Sequence, residues 1–217
     1  MLDLVLPLAC GGCGAASTGW CPRCAAELTV RDDEPHLVTP RTDPGVPVFA
    51  LGRYAGARRR AIVAAKEHGR ADLLPPLANA LRSGLERLLT WGVVVAPVIV
   101  VPAPTRRSAA RRRGGDPVTR VAVAATAALP GVTTVPALRT RAWVRDSVGL
   151  SGGDRQRNLA GRIRLTRAGR RALSDGAEGD LVLVDDVVTT GATATESVRT
   201  LARSGAEVAV MLAISHA

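Results

Sequence analysis

Residues 181–193 read LVLVDDVVTTGAT, and this string constrains the fold more than any other part of the chain. Four apolar residues in a row, Leu181 to Val184, show no polar alternation, which predicts a central parallel strand covered on both faces. Asp185 and Asp186 follow at its carboxyl end, where open α/β sheets put their ligands. A loop from Asp185 onward then leads through Val188, Thr189, Thr190, Gly191, Ala192 and Thr193 into a helix. Small side chains let backbone N–H groups come close to a phosphate, hydroxyls add donors, and a helix start favours negative charge. A phosphate cradle beside two carboxylates suits a sugar phosphate with vicinal hydroxyls. The string is not a Walker A loop, which ends in Gly-Lys-Ser/Thr, nor a dinucleotide fingerprint, which needs G-x-G-x-x-G. The plain alternative is a strand that ends in solvated acids before a threonine-rich helix start.

The segments around this string alternate between strand-like and helix-like patterns, which argues for a parallel sheet flanked by helices. We expect strands over 48–54, 97–101, 132–135, 181–184 and 207–214. Helices are expected over 57–67, 72–89, 117–128, 154–160 and 194–204, with 136–153 irregular. In the second helix Leu73, Leu74, Leu77, Leu81, Leu85 and Leu88 recur at helical spacing. Aromatics make up only 2% of the 217 residues, so the core must be aliphatic. Residues 31–47, RDDEPHLVTPRTDPGVP, read as a linker rich in proline and acids. The chain thus divides into a cysteine-bearing module with linker over 1–45 and a large α/β domain over 46–217.

All four cysteines fall into two pairs, Cys10-x-x-Cys13 and Cys21-x-x-Cys24. Each short turn lets two thiolates face one metal, and two turns complete a tetrahedral Zn²⁺ site. With four protein ligands such a site is structural, organising a segment that has little core of its own. The first ten residues lack the basic region and apolar length of an export signal, and no apolar run reaches the roughly 18 residues of a membrane span. A cytoplasmic protein without membrane insertion is expected.

The net charge of +10 is uneven. Residues 1–45 carry −3, so the large domain holds the basic excess and suits a polyanionic ligand. Of 29 basic residues only Lys66 is a lysine, and an arginine-rich composition can also reflect a GC-rich genome. Residues 100–114, VVPAPTRRSAARRRG, run from a strand into a loop bearing Arg106, Arg107, Arg111, Arg112 and Arg113. Arginine suits bidentate phosphate contacts; the same cluster fits a solvated basic loop or a nucleic-acid surface. Lys66 ends a helix, where a cation is favourable for dipole reasons alone, and it equally suits a substrate role. His68 beside it reads as a surface residue.

The 181–193 string resembles the PRPP-binding motif of type I phosphoribosyltransferases. Across nearly the whole chain, the cysteine pairs, Tyr54 with the helix to Lys66 and Gly69, VPAPTRR, RRRGG, VGLSGGDRQRN and VLVDDVVTTGAT resemble the ComF family of phosphoribosyltransferase-like proteins linked to DNA uptake. The chain departs from that family's usual pattern at Gly115-Asp116-Pro117 and around Ser147, where an acceptor would be recognised. The resemblance implies a type I phosphoribosyltransferase fold with a small N-terminal zinc-ribbon-like module. It implies that Asp185 and Asp186 hold the ribose hydroxyls, directly or through Mg²⁺-bound water, and that Val188 to Thr193 wrap the 5-phosphate. Arg106, Arg107 and Arg113 take the pyrophosphate role. Arg139, Arg145, Arg155, Arg157 and Asn158 either contact substrate or stabilise the fold. The activity expected is transfer of phosphoribose from PRPP to an acceptor, or its reversal. The alternatives are a non-catalytic PRPP or nucleotide sensor and a single-stranded DNA-binding accessory of DNA uptake. Scarce aromatics argue against strong base stacking in the latter.

Overall fold

The computed structural model describes residues 8–105, 116–140, 161–173 and 179–217. Arg106, Arg107, Arg113, the expected helix over 154–160 and Arg145, Arg155, Arg157 and Asn158 lie outside the described residues.

A mixed α/β fold is built on a six-stranded sheet of order β1-β2-β8-β7-β3-β4. Its strands are β1 (His36–Leu37), β2 (Val48–Ala50), β3 (Val98–Pro102), β4 (Val132–Thr134), β7 (Asp180–Val188) and β8 (Val208–His216). Only β1 is antiparallel to its neighbour; every other pair is parallel. The helices are α1 (Pro22–Leu28), α2 (Gly56–Glu67), α3 (Leu74–Thr90), α4 (Pro117–Thr126), α5 (Arg167–Leu173) and α6 (Ala192–Ala202).

Strand alternation sorts the core into two layers. Val182 and Val184 of β7, with Val210, Leu212 and Ile214 of β8, face α2, α3 and α4. Leu181, Leu183, Met211 and Ala213 face the opposite way, towards α6. The absence of polar alternation in 181–184 therefore marks a strand covered on both sides. The largest fully buried side chains are all Leu, Ile, Val or Met, as the aromatic-poor composition requires. On α3 the leucine stripe turns inward at Leu77, Leu81, Leu85 and Leu88, each worth about 1.5–3 kcal/mol of burial. The prolines in its first turn occupy positions where no intrahelical N–H is needed. Gly84 brings this helix against the sheet, since a Cβ there would lie 2.6 Å from a Leu51 methyl.

Three features differ from the sequence expectation. The strand expected to stop at Val184 continues to Val188, because β8 pairs with it as far as Val188–His216. The two aspartates therefore sit within the strand, not in a loop after it. Residues 136–153, expected to be irregular, begin with β5 (Leu138–Thr140), which pairs antiparallel with β6 (Ile163–Leu165). Leu138 and Ile163 are buried there with Leu173 of α5; three-residue strands are too short to show a period. Finally, the stretch read as a linker supplies β1 and runs on to the start of α6, where the Thr42 N–H donates to Thr190 O at 2.8 Å.

Candidate functional site

The turn between β7 and α6 depends on Gly191. Its φ of +83° lies in the left-handed region, which costs an L side chain on the order of 1 kcal/mol. A Cβ there would also overlap the Thr42 carbonyl oxygen and sit 2.9 Å from Pro40 Cβ. Glycine is thus required twice, by conformation and by the close pass of residues 40–42. The first intrahelical bond runs from Thr195 N to Gly191 O, so the amides from Gly191 to Ala194 have no intrahelical acceptor. Gly191 as N-cap provides no side-chain oxygen to occupy them. Thr195 instead turns its hydroxyl back onto Gly191 O at 3.0 Å and stiffens the turn.

These groups line an open pocket of about 230 Å³ whose wall includes Asp185, Val188, Thr189, Thr190, Gly191, Ala192 and Thr193. All six residues expected to wrap a phosphate therefore meet one cavity, together with one of the two acids. Val187, Ala194 and Met211 complete it.

The two carboxylates are neighbours on an extended strand and remain in contact, with a side-chain hydrogen bond between them. Asp185 also lines a second, mainly apolar pocket of about 340 Å³ with Asp186, Lys66, Ile62, Leu77, Leu81, Val118 and Ile214. It is the residue shared by the two cavities. Its Oδ1 accepts the Asp186 N–H at 2.8 Å. Burial first, and then the adjacent Asp186 charge, push its pKa well above the ordinary 3.8, with Lys66 pulling the other way.

Asp186 is buried, at 8% exposure. Lys66 Nζ reaches its Oδ2 at 2.8 Å and Oδ1 at 3.1 Å, and the Val187 N–H donates to Oδ1 at 2.9 Å. Burial works to lower the Lys66 pKa, but the Asp186 charge and hydrogen bond, with Asp185 beyond, outweigh it and hold the ammonium above its usual value. The sequence alone leaves Lys66 between a dipole role and a substrate role; here its ammonium is the counter-ion of Asp186.

The four cysteines converge beside α2, where Cys10 and Cys24 pack with Ala57. Their sulfurs all lie within 4.8 Å of one another, the Cys13 and Cys21 sulfurs at 3.6 Å. All four are free of disulfides. Tetrahedral coordination at a metal–sulfur distance of about 2.3 Å sets sulfurs about 3.8 Å apart, so the donor set fits a metal ion. Gly12 N and Cys21 N donate to Cys10 Sγ at 3.4 and 3.3 Å, which stabilises a thiolate. Burial raises the Cys10 pKa, yet backbone N–H groups of Cys13, Cys21 and Gly12 prevail and lower it to about 6. Cys24 has no such donors; burial and the neighbouring sulfurs push it up. Gly12 is close-packed, because a Cβ would lie 2.9 Å from the Trp20 ring and overlap Cys24 Sγ.

Sequence reasoning missed three groups. Pro40 and Thr42 back the turn between β7 and α6, and nothing in their local pattern signals it. Asp116 caps α4 by accepting the Val118 N–H at 3.1 Å and the Thr119 hydroxyl at 3.2 Å; Asp-Pro before an apolar run is a readable cap signal. Among the described residues no helix is long and apolar enough to cross a membrane. Comparison with family models and with curated proteins gives no match for this chain.

Proposed function

We propose that this chain is a type I phosphoribosyltransferase-like protein of the ComF kind that binds PRPP with Mg²⁺ and carries a structural Zn²⁺. The observation that supports this most is a single cavity walled by both the helix-start amides at 191–194 and the Asp185 carboxylate. That pairing of an anion cradle with an acid, at the carboxyl edge of a parallel sheet, matches what a sugar phosphate presents.

The 5-phosphate is bound by the helix-start amides, of which Ala192 N–H rests on Thr190 Oγ1 at 3.4 Å, and by the hydroxyls of Thr189, Thr190 and Thr193. Gly191 lets the backbone approach it closely. Asp185 takes the ribose side, and Asp186, anchored by Lys66, keeps the strand end rigid and adds negative charge nearby. When bound, Mg²⁺ neutralises diphosphate and ribose oxygens and so favours departure of the pyrophosphate. The reaction passes through an oxocarbenium-like centre at C1, for which positioning and electrostatics suffice without a protein nucleophile. In the cysteine module, Cys10, Cys13, Cys21 and Cys24 supply four thiolates and leave no open coordination position, which suits a structural ion.

Calorimetry with PRPP and Mg²⁺ tests the binding step. Binding to the wild type that disappears in Asp185→Ala plus Asp186→Ala is the expected result; unchanged affinity in the double variant refutes the assignment. Following pyrophosphate release with purines, pyrimidines and orotate then separates a transferase from a sensor.

A further inference from the structure

The helix α2 lacks a cap of its own, because Ala55 stands at its N-cap position and offers no side-chain acceptor. Glu27 of α1, thirty residues earlier, takes that place: its Oε2 accepts the Ala57 N–H at 2.9 Å. A carboxylate here both satisfies an orphan donor and opposes the helix dipole. Gly56, at φ +53°, makes room for it, since a Cβ would come within 2.9 Å of the same oxygen.

The cysteine module grips α2 at further points. Arg60 Nε donates to the carbonyl of Gly12, which lies between Cys10 and Cys13. Arg70, just beyond the helix, donates to Ala9 O at 3.0 Å and to Gly19 O at 3.3 Å. In the last turn of the same helix, Lys66 is bonded to Asp186. One helix therefore joins the loops that carry the thiols to the acid pair at the pocket.

We propose that Glu27 is a positioning residue: with the four-cysteine centre loaded, it fixes α2 along its axis and so holds Lys66 against Asp186. The nine residue steps from Ala57 to Lys66 span about 14 Å of helix, which moves nearly as a rod. The metal enters through α1, whose N-cap is Cys21 and whose third residue is Cys24. Converged thiolates keep α1, and Glu27 on it, in place. Only the ligand readout below rests on the PRPP reading.

The test is hydrogen exchange on the zinc-loaded full chain. Glu27→Ala raises exchange about fivefold across α2, including residues 64–67, while α3 and β7 keep their protection. Glu27→Gln, which retains an acceptor oxygen, restores most of it. Withdrawing zinc from the wild type with a chelator raises exchange over the same helix. A rise confined to residues 57–59, or no difference from wild type, overturns the proposal. In the ligand arm, Glu27→Ala weakens PRPP–Mg²⁺ binding by a similar factor. In the wild type, zinc loading strengthens PRPP–Mg²⁺ binding, and by reciprocity PRPP–Mg²⁺ strengthens zinc retention against a chromogenic chelator by the same factor that zinc loading gives. Equal PRPP affinity in wild type and Glu27→Ala overturns the coupling. If the wild type binds no PRPP while exchange behaves as expected, the substrate reading falls and the helix coupling stands.

Discussion

Gly191 and Gly205 form a matched pair for measuring how firmly residues 40–43 brace the turn between β7 and α6. Both have a φ of +83°. A Cβ on Gly205 would meet nothing within 4 Å, whereas on Gly191 it would overlap Thr42 O and press on Pro40. Replacing either by alanine places a side chain in the left-handed region, at about 1 kcal/mol. At Gly191 the chain at 40–43 must also retreat. That sacrifices the 2.8 Å bond from Thr42 N to Thr190 O, about 1 kcal/mol net, and adds overpacking of about 1–2 kcal/mol. The expected losses are about 1 kcal/mol for Gly205→Ala and about 3–4 kcal/mol for Gly191→Ala. With a urea slope of about 2 kcal/mol/M, the midpoint falls by about 0.5 M in the first variant and by about 1.5–2 M in the second. Equal midpoints for the two variants would refute the claim that this stretch bears on the turn.

Two further outcomes follow from the burial and electrostatics. Asp185 is held above its ordinary value of 3.8, mainly by burial, so the folded chain keeps its proton longer than the unfolded chain. As pH rises from 3.8 through the raised folded value, the unfolded state ionises first and this residue's contribution to stability declines. Magnesium favours the ionised form, so PRPP–Mg²⁺ affinity increases with pH across that window and binding releases a proton. Calorimetry in buffers of different ionisation heat measures the release, and a pH-independent affinity without proton release removes Asp185 from the contact. In the core, Leu183→Ala at a site with 0% exposure costs about 3 kcal/mol in urea unfolding. Val123→Ala, at 50% exposure, stays within about 0.5 kcal/mol; equal losses would contradict the two-layer description.

What was legible in the sequence was what repeats or clusters. The leucine stripe of α3, the unbroken apolar start of β7 and the paired cysteines each carry several residues of consistent signal. The helix expected over 57–67 is matched by α2 at Gly56–Glu67, with Ala57, Ala61, Ile62 and Ala65 turned inward. What stayed hidden depends on distant partners. Nothing near Asp185 tells that β8 continues to pair beyond it, so local pattern ends the strand four residues early. Nothing near Thr42 or Glu27 tells that one braces a helix start about 150 residues away and the other caps a helix 30 residues away. The local preference of β5 is overridden by its pairing with β6, with 22 residues between the two strands.

The strand order carries a consequence for synthesis. β2 is flanked by only a two-residue antiparallel neighbour and by β8, which begins roughly 160 residues later in the chain. At translation rates of about 5–20 residues per second, that delay is about 8–30 s. Throughout it β2 lacks its parallel neighbour, while β7, completed about 20 residues before β8 begins, waits only about 1–4 s at those rates; such long-range pairing makes folding slow and exposes chains to aggregation. The sheet therefore stays open in its middle until residues 208–216 arrive, and a ribosome stalled before them leaves the facing edges of β2 and β7 unpaired.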